Sequence, residues 1–89
     1  MYQQTSFLAY QELVTTGQIS RRQGQILKAI IEHPFPLTNL EISEITKLPI
    51  NSVTGRVKEL RDKGLVQKAY VKKEPRASIA WKVAYDIAL

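Results

Sequence analysis

The sequence predicts an α+β fold, mainly α, with four helices followed by a two-stranded β-hairpin. Three observations predict it. Apolar residues recur at helical spacing through the first two-thirds of the chain. The period changes to two after Gly64. Caps and breakers stand at the joints: Gly17, Ser20, Pro34, Thr38, Pro49 and Gly64.

The first helix is expected over residues 6–16, with Gly17 at its end. Its stripe of Phe7, Tyr10, Leu13 and Val14 suits either the core or a dimer surface. The second runs from an N-cap at Ser20 to His33, with Ile26, Leu27, Ile30 and Ile31 as its apolar face. Pro34 stops it, because the residue before a proline avoids helical geometry. Pro36 and Leu37 read as a connector. Thr38 and Glu41 have the spacing of a capping box. They open a third helix over residues 39–47, expected to bury Leu40, Ile42 and Ile45.

Leu48 and Pro49 form a turn into a fourth helix over residues 50–63. Pro49 fits its first turn, where a missing N–H costs nothing. Val53, Val57 and Leu60 form the inward stripe, and Gly64 suits the left-handed position beyond the end. In the hairpin, Val66, Lys68, Tyr70 and Lys72 alternate with Leu65, Gln67, Ala69 and Val71. Ile79, Trp81, Val83 and Tyr85 share a face of the second strand, opposite Ser78, Ala80, Lys82 and Ala84. Residues 73–77 form a polar tip around Pro75.

A chain of 89 residues suits one domain, here residues 1–89. Apolar residues at 44% and charged residues at 24% are ordinary globular usage. With no cysteine there is no disulfide scaffold, thiolate metal site or cysteine nucleophile. The N-terminal segment lacks a basic flank before an apolar run, so no signal peptide is expected. No apolar run approaches the roughly 20 residues that span a bilayer. A cytoplasmic protein is expected, without a membrane partner.

Catalytic signals are missing. His33, the single histidine, precedes a proline at a helix end, where a structural or dipole role is expected. Glu41 and Glu44 read as a cap and a solvated residue. No phosphate-cradling glycine loop, nucleophile elbow or dinucleotide fingerprint occurs. Neither catalytic residues nor a metal site nor a cofactor is expected, and the chain does not read as an enzyme.

The position of the charge says more than its size. Eight basic and three acidic residues fall between Arg56 and Arg76, an excess equal to the whole net charge of +5. A cationic quarter of a domain suits a polyanion, although a solvated lysine-rich face has the same composition.

Two short helices joined by a tight turn and followed by a basic hairpin make a winged helix-turn-helix arrangement. In it, residues 1–17 are an N-terminal helix, 38–63 the helix-turn-helix and 65–85 the wing. An α-helix fits the major groove of DNA, where base edges are distinguishable. With Val53, Val57 and Leu60 turned inward, Asn51, Gly55, Lys58, Glu59 and Asp62 fall on the far side. Ser52, Thr54, Arg56 and Arg61 fall on the flanks. Gly55 costs about 1 kcal/mol against alanine in a helix interior, but lets a bare backbone approach DNA.

Glu59 and Asp62 would repel phosphate. Only the leading half of the helix is therefore expected in the groove, with these carboxylates paired to Lys63, Arg56 or Lys58. Lys72, Lys73 and Arg76 surround the wing tip and suit the backbone or the minor groove. The N–H groups of Thr38, Asn39 and Leu40, at the start of the third helix, are candidates for a phosphate.

The run LTNLEISEITKLPINSVTGRVKELRDKGLV resembles the winged helix-turn-helix superfamily, in particular MarR-like regulators and small prophage-encoded relatives. SRRQGQILKAIIEH resembles the helix that precedes the motif in these families. The resemblance covers residues 20–66, more weakly the wing. It implies that Asn51, Ser52, Thr54, Gly55 and Arg56 lie at the DNA-reading end of the recognition helix, and that Arg76 is the wing-tip residue. It also implies a bacterial nucleoid or a phage-infected cell as the setting.

Two positions depart from the pattern. Lys47 stands where the turn usually has glycine, so it must take a strained conformation or the turn must differ. Thr46 stands where leucine is common. MarR-like proteins also dimerise through long terminal helices, and no such helix is expected between the second wing strand and Leu89.

The partner expected is double-stranded DNA, with a homodimer through the first helix. The alternatives are a protein-interaction module in a replication or transcription assembly and a non-specific architectural binder.

Overall fold

Ser20 and Thr38 open two helices by the same device. Each hydroxyl accepts the N–H three residues on, from Gln23 and Glu41, and the side chain there accepts the cap's own N–H. The computed structural model describes the backbone of residues 4–74 and 76–84, and side chains from Tyr10 onward. In chain order the elements are α1 (Gln4–Thr15), α2 (Arg21–Glu32), β1 (Leu37–Thr38), α3 (Asn39–Thr46), α4 (Ile50–Asp62), β2 (Val66–Lys72) and β3 (Ser78–Val83). Phe7, Pro75 and Tyr85 carry expectations that fall outside the described positions.

The apolar stripe of α2 forms the middle of the core. Ile26, Leu27, Ile30 and Ile31 are buried there with Ile42, Val53, Val57, Leu60 and Trp81. Tyr10 and Leu13 of α1 pack against this cluster, while Val14 is exposed. Gly24 sets how closely α1 can lie on α2. A Cβ there would stand 3.4 Å from Val14 Cγ2 and 3.8 Å from both Ile19 Cδ1 and Tyr10 Cε1. At the far end of α2, His33 Nδ1–H donates to Ala29 O at 2.7 Å, so the histidine satisfies a helix-end carbonyl.

The sheet has three antiparallel strands in the order β1-β3-β2, not two. Leu37, expected in a connector, pairs with Trp81, and Thr38 pairs with Ala80. Two residues carry no readable period, and this strand exists because β3 offers it an edge. Ala80 and Trp81, on opposite faces of the second wing strand, are both buried. As the middle strand, β3 sets Ala80 between Thr38 and Tyr70. The pairing of β2 with β3 shifts register between Lys68 and Tyr70.

A second correction concerns α3. Of Leu40, Ile42 and Ile45, only Ile42 is buried; Leu40 and Ile45 are exposed. At about 100° per residue, Leu40 lies some 200° round the helix from Ile42, away from the core. Ile45 lies nearer that face, but beyond the strip that the core covers.

Candidate nucleic-acid interface

The outward face of α4 exists because its inward face is fully committed. Val53, Val57 and Leu60 are at most 1% exposed. The turn that presents this helix is tight. Lys47 sits in the left-handed region at φ 64 and ψ 18, the conformation expected to strain a residue other than glycine. Hydroxyls hold the turn in place. Ser43 Oγ donates to Leu48 O at 2.6 Å, and Thr46 Oγ1 donates to Ile42 O at 2.7 Å while accepting Leu48 N–H at 3.3 Å. Thr46 thus supplies a turn contact that leucine cannot make.

Pro49 occupies the N-cap position of α4, one place before the first turn, and gives no side-chain cap. Asn51 and Thr54 are exposed, and Ser52 is half-buried. Thr54 Oγ1 donates back to Ile50 O at 3.0 Å. No atom stands within 4 Å of where a Gly55 Cβ would be. Nothing inside the protein therefore requires glycine at this position.

The cations behind this leading end are paired. Arg56 donates from Nε to Glu59 Oε1 and from Nη2 to Glu59 Oε2, both at 2.8 Å. Gln23 Nε2 donates to the same Oε1 at 2.7 Å, which links α2 to α4. Hydrogen bonds from Arg56 and then Gln23 hold the Glu59 carboxyl below the usual glutamate range. Lys58 lies 3.4 Å from Asp62 Oδ2. Lys63 Nζ donates to Gln18 O at 2.7 Å. The two carboxylates of this face thus meet Arg56 and Lys58 at helical spacing.

On the wing, Lys72 Nζ donates to Glu41 Oε2. The hydrogen bond from Lys72, followed by that from the Thr38 backbone, lowers the Glu41 pKa. Lys73 and Arg76 are exposed, and no described carboxylate pairs with them. The expectation that Thr38 offers a free N–H is corrected. That N–H donates to Glu41 Oε1 at 2.9 Å, and Thr38 is only 5% exposed. Asn39 is half-buried, with Oδ1 enclosed and without a described partner.

An open groove of about 890 Å³ separates the starts of α3 and α4 from the wing. Of the residues expected to bind DNA, it brings together Thr38, Asn39, Thr54, Lys72 and Arg76. Asn51, Ser52, Gly55, Arg56, Lys58 and Lys73 are outside its lining. Sequence reasoning missed Gln23. Its S-x-x-Q spacing signals the capping box, but nothing local signals the bond to Glu59.

No helix among the described residues is long and apolar enough to cross a membrane. No curated protein matches the chain. A family profile described as winged helix-turn-helix DNA-binding matches residues 19–67, more than half of its length. The match spans α2, β1, α3 and α4 and enters β2. It is to that family at large; the narrower MarR-like and prophage likeness is a resemblance of the residues alone. The profile and the α3–turn–α4 geometry with its antiparallel wing meet on one assignment: the chain belongs to the winged helix-turn-helix DNA-binding family.

Proposed function

We propose that the chain is a sequence-specific transcriptional regulator that reads duplex DNA in the major groove with α4. Asn51, Ser52, Thr54 and Gly55 form the leading contact, with Arg56 and Lys58 behind them. Asn39, next to Thr38 at the start of α3, takes a phosphate. The wing residues Lys72, Lys73 and Arg76 take the backbone or the minor groove.

Gly55 carries this reading. A glycine inside a helix costs about 1 kcal/mol relative to alanine. No neighbour fills the space that its Cβ would take, so no packing gain offsets the cost. A backbone that approaches a ligand closely does offset it. A homodimer through α1 belongs to the same reading and sets two α4 helices about one DNA turn, roughly 34 Å, apart.

Selection from a random duplex library, followed by mobility-shift titration, tests it. An enriched motif and steep salt dependence are expected. Equal affinity for every sequence indicates an architectural binder instead. Absence of retardation of any duplex at low ionic strength overturns the reading. A protein-interaction module is the second reading. It is favoured by one observation: Arg56, Lys58 and Lys72 already meet carboxylates of the chain.

A further inference from the structure

We infer that Ile50 and Thr54 are specificity-determining residues that read the 5-methyl group of thymine at the mouth of the groove between α4 and the wing. The inference rests on the proposed entry of α4 into the major groove.

Ile50 is the first residue of α4 and is 41% exposed. The seat of the helix is made by Val53, Val57 and Leu60, and the exposed part of the Ile50 side chain faces the groove. Thr54 follows one helical turn later on the same groove wall. Its hydroxyl proton is committed to Ile50 O, so the side chain has no proton left to donate to a base. What it offers instead is a methyl group beside the Ile50 side chain. Leu40 and Ile79, both exposed, line the same groove and extend its apolar character.

The charges around the groove point the same way. Lys72 and Arg76 line it, but so do Glu41, Glu44 and Glu74. A phosphate at Asn39 aside, carboxylates in that number disfavour further negative charge against Ile50 and Thr54. An uncharged base edge with a methyl group fits there, while Lys72 and Arg76 on the wing side meet the backbone. Thymine is the base that displays such a group in the major groove, and apolar side chains recognise it there.

The test uses the full chain and its selected duplex. Each thymine is replaced singly by deoxyuridine, which removes only the methyl group. At one or two positions affinity is expected to fall roughly three- to fivefold, the worth of one buried methyl. In Ile50→Ala, and at the adjoining position in Thr54→Ser, affinity falls and the thymine-to-uracil ratio drops to about one. Lys73→Ala lowers affinity without changing that ratio. Equal binding of thymine and deoxyuridine duplexes at every position overturns the inference while leaving DNA recognition by α4 intact. So does a selected motif without thymine. Failure to bind any duplex overturns the DNA reading beneath it.

Discussion

Lys72 of the wing donates a hydrogen bond to Glu41, whose other carboxylate oxygen holds the Thr38 N–H that caps α3. One carboxylate therefore closes a helix start and holds a wing cation. The arrangement repeats at Gln23, which caps α2 through Oε1 and reaches Glu59 of α4 through Nε2. In both capping boxes the side chain three residues after the cap also connects to a distant element.

For Lys72 to reach a DNA phosphate, it must leave Glu41. Glu41→Gln removes that competitor and keeps an oxygen for the Thr38 N–H. Duplex affinity in low salt is expected to rise, while in Lys72→Ala the slope of affinity against log salt becomes shallower by about 1. Titrations between roughly 50 and 200 mM salt measure this. An unchanged slope would exclude Lys72 from the contact.

The carboxyls of Glu41 and Glu59 are both held below the ordinary glutamate range, by Lys72 and by Arg56 in the first place. A carboxyl with a depressed folded pKa stabilises the fold above its unfolded pKa, and that stabilisation is lost as pH falls through the folded value. Wild type is expected to melt above Glu41→Gln and Glu59→Gln at neutral pH, by a small margin because both pairs are partly solvated. The melting curves converge in acid, below the ordinary glutamate range. A gap that persists there would place the effect in packing rather than charge.

Lys47 bears a backbone cost. Its left-handed conformation costs about 1–2 kcal/mol for a residue with a Cβ. Lys47→Gly is expected to stabilise the protein by about 1 kcal/mol after the greater unfolded-state freedom of glycine is deducted. That corresponds to a rise in melting temperature of roughly 4–8 °C for a domain of this size. Lys47→Ala keeps the strain and gains nothing, which makes it the control.

Gly55→Ala separates stability from binding. The added Cβ meets no neighbour, so helix propensity stabilises the fold by up to about 1 kcal/mol. In the proposed complex the same methyl stands between the α4 backbone and DNA, and affinity is expected to fall. Chemical denaturation and mobility shift on one preparation read both effects. A variant that is more stable and binds equally well would leave Gly55 without a part in the interface.

Much of the fold is legible because it is local. The caps at Ser20 and Thr38, the left-handed Gly17 and Gly64, and the seat of α4 on Val53, Val57 and Leu60 follow from residues within a turn of one another. The strain at Lys47 follows from the family resemblance, whose turn usually has glycine there, and the structure decides for strain over a different turn. The pairing of Glu59 and Asp62 with Arg56 and Lys58 is a matter of helical spacing.

The tertiary structure alone decided the rest. Leu37 and Thr38 become a strand only when β3 arrives, more than 40 residues later, with an edge to pair. Leu40 and Ile45 have core chemistry, but the surface available to so short a helix takes in Ile42 alone. Gln23 meets Glu59 across 36 positions, and Lys72 meets Glu41 across 31. Local spacing carries short-range interactions, because the covalent chain itself holds those residues together. Contacts across such separations arise only when packed helices and a paired sheet have placed the partners.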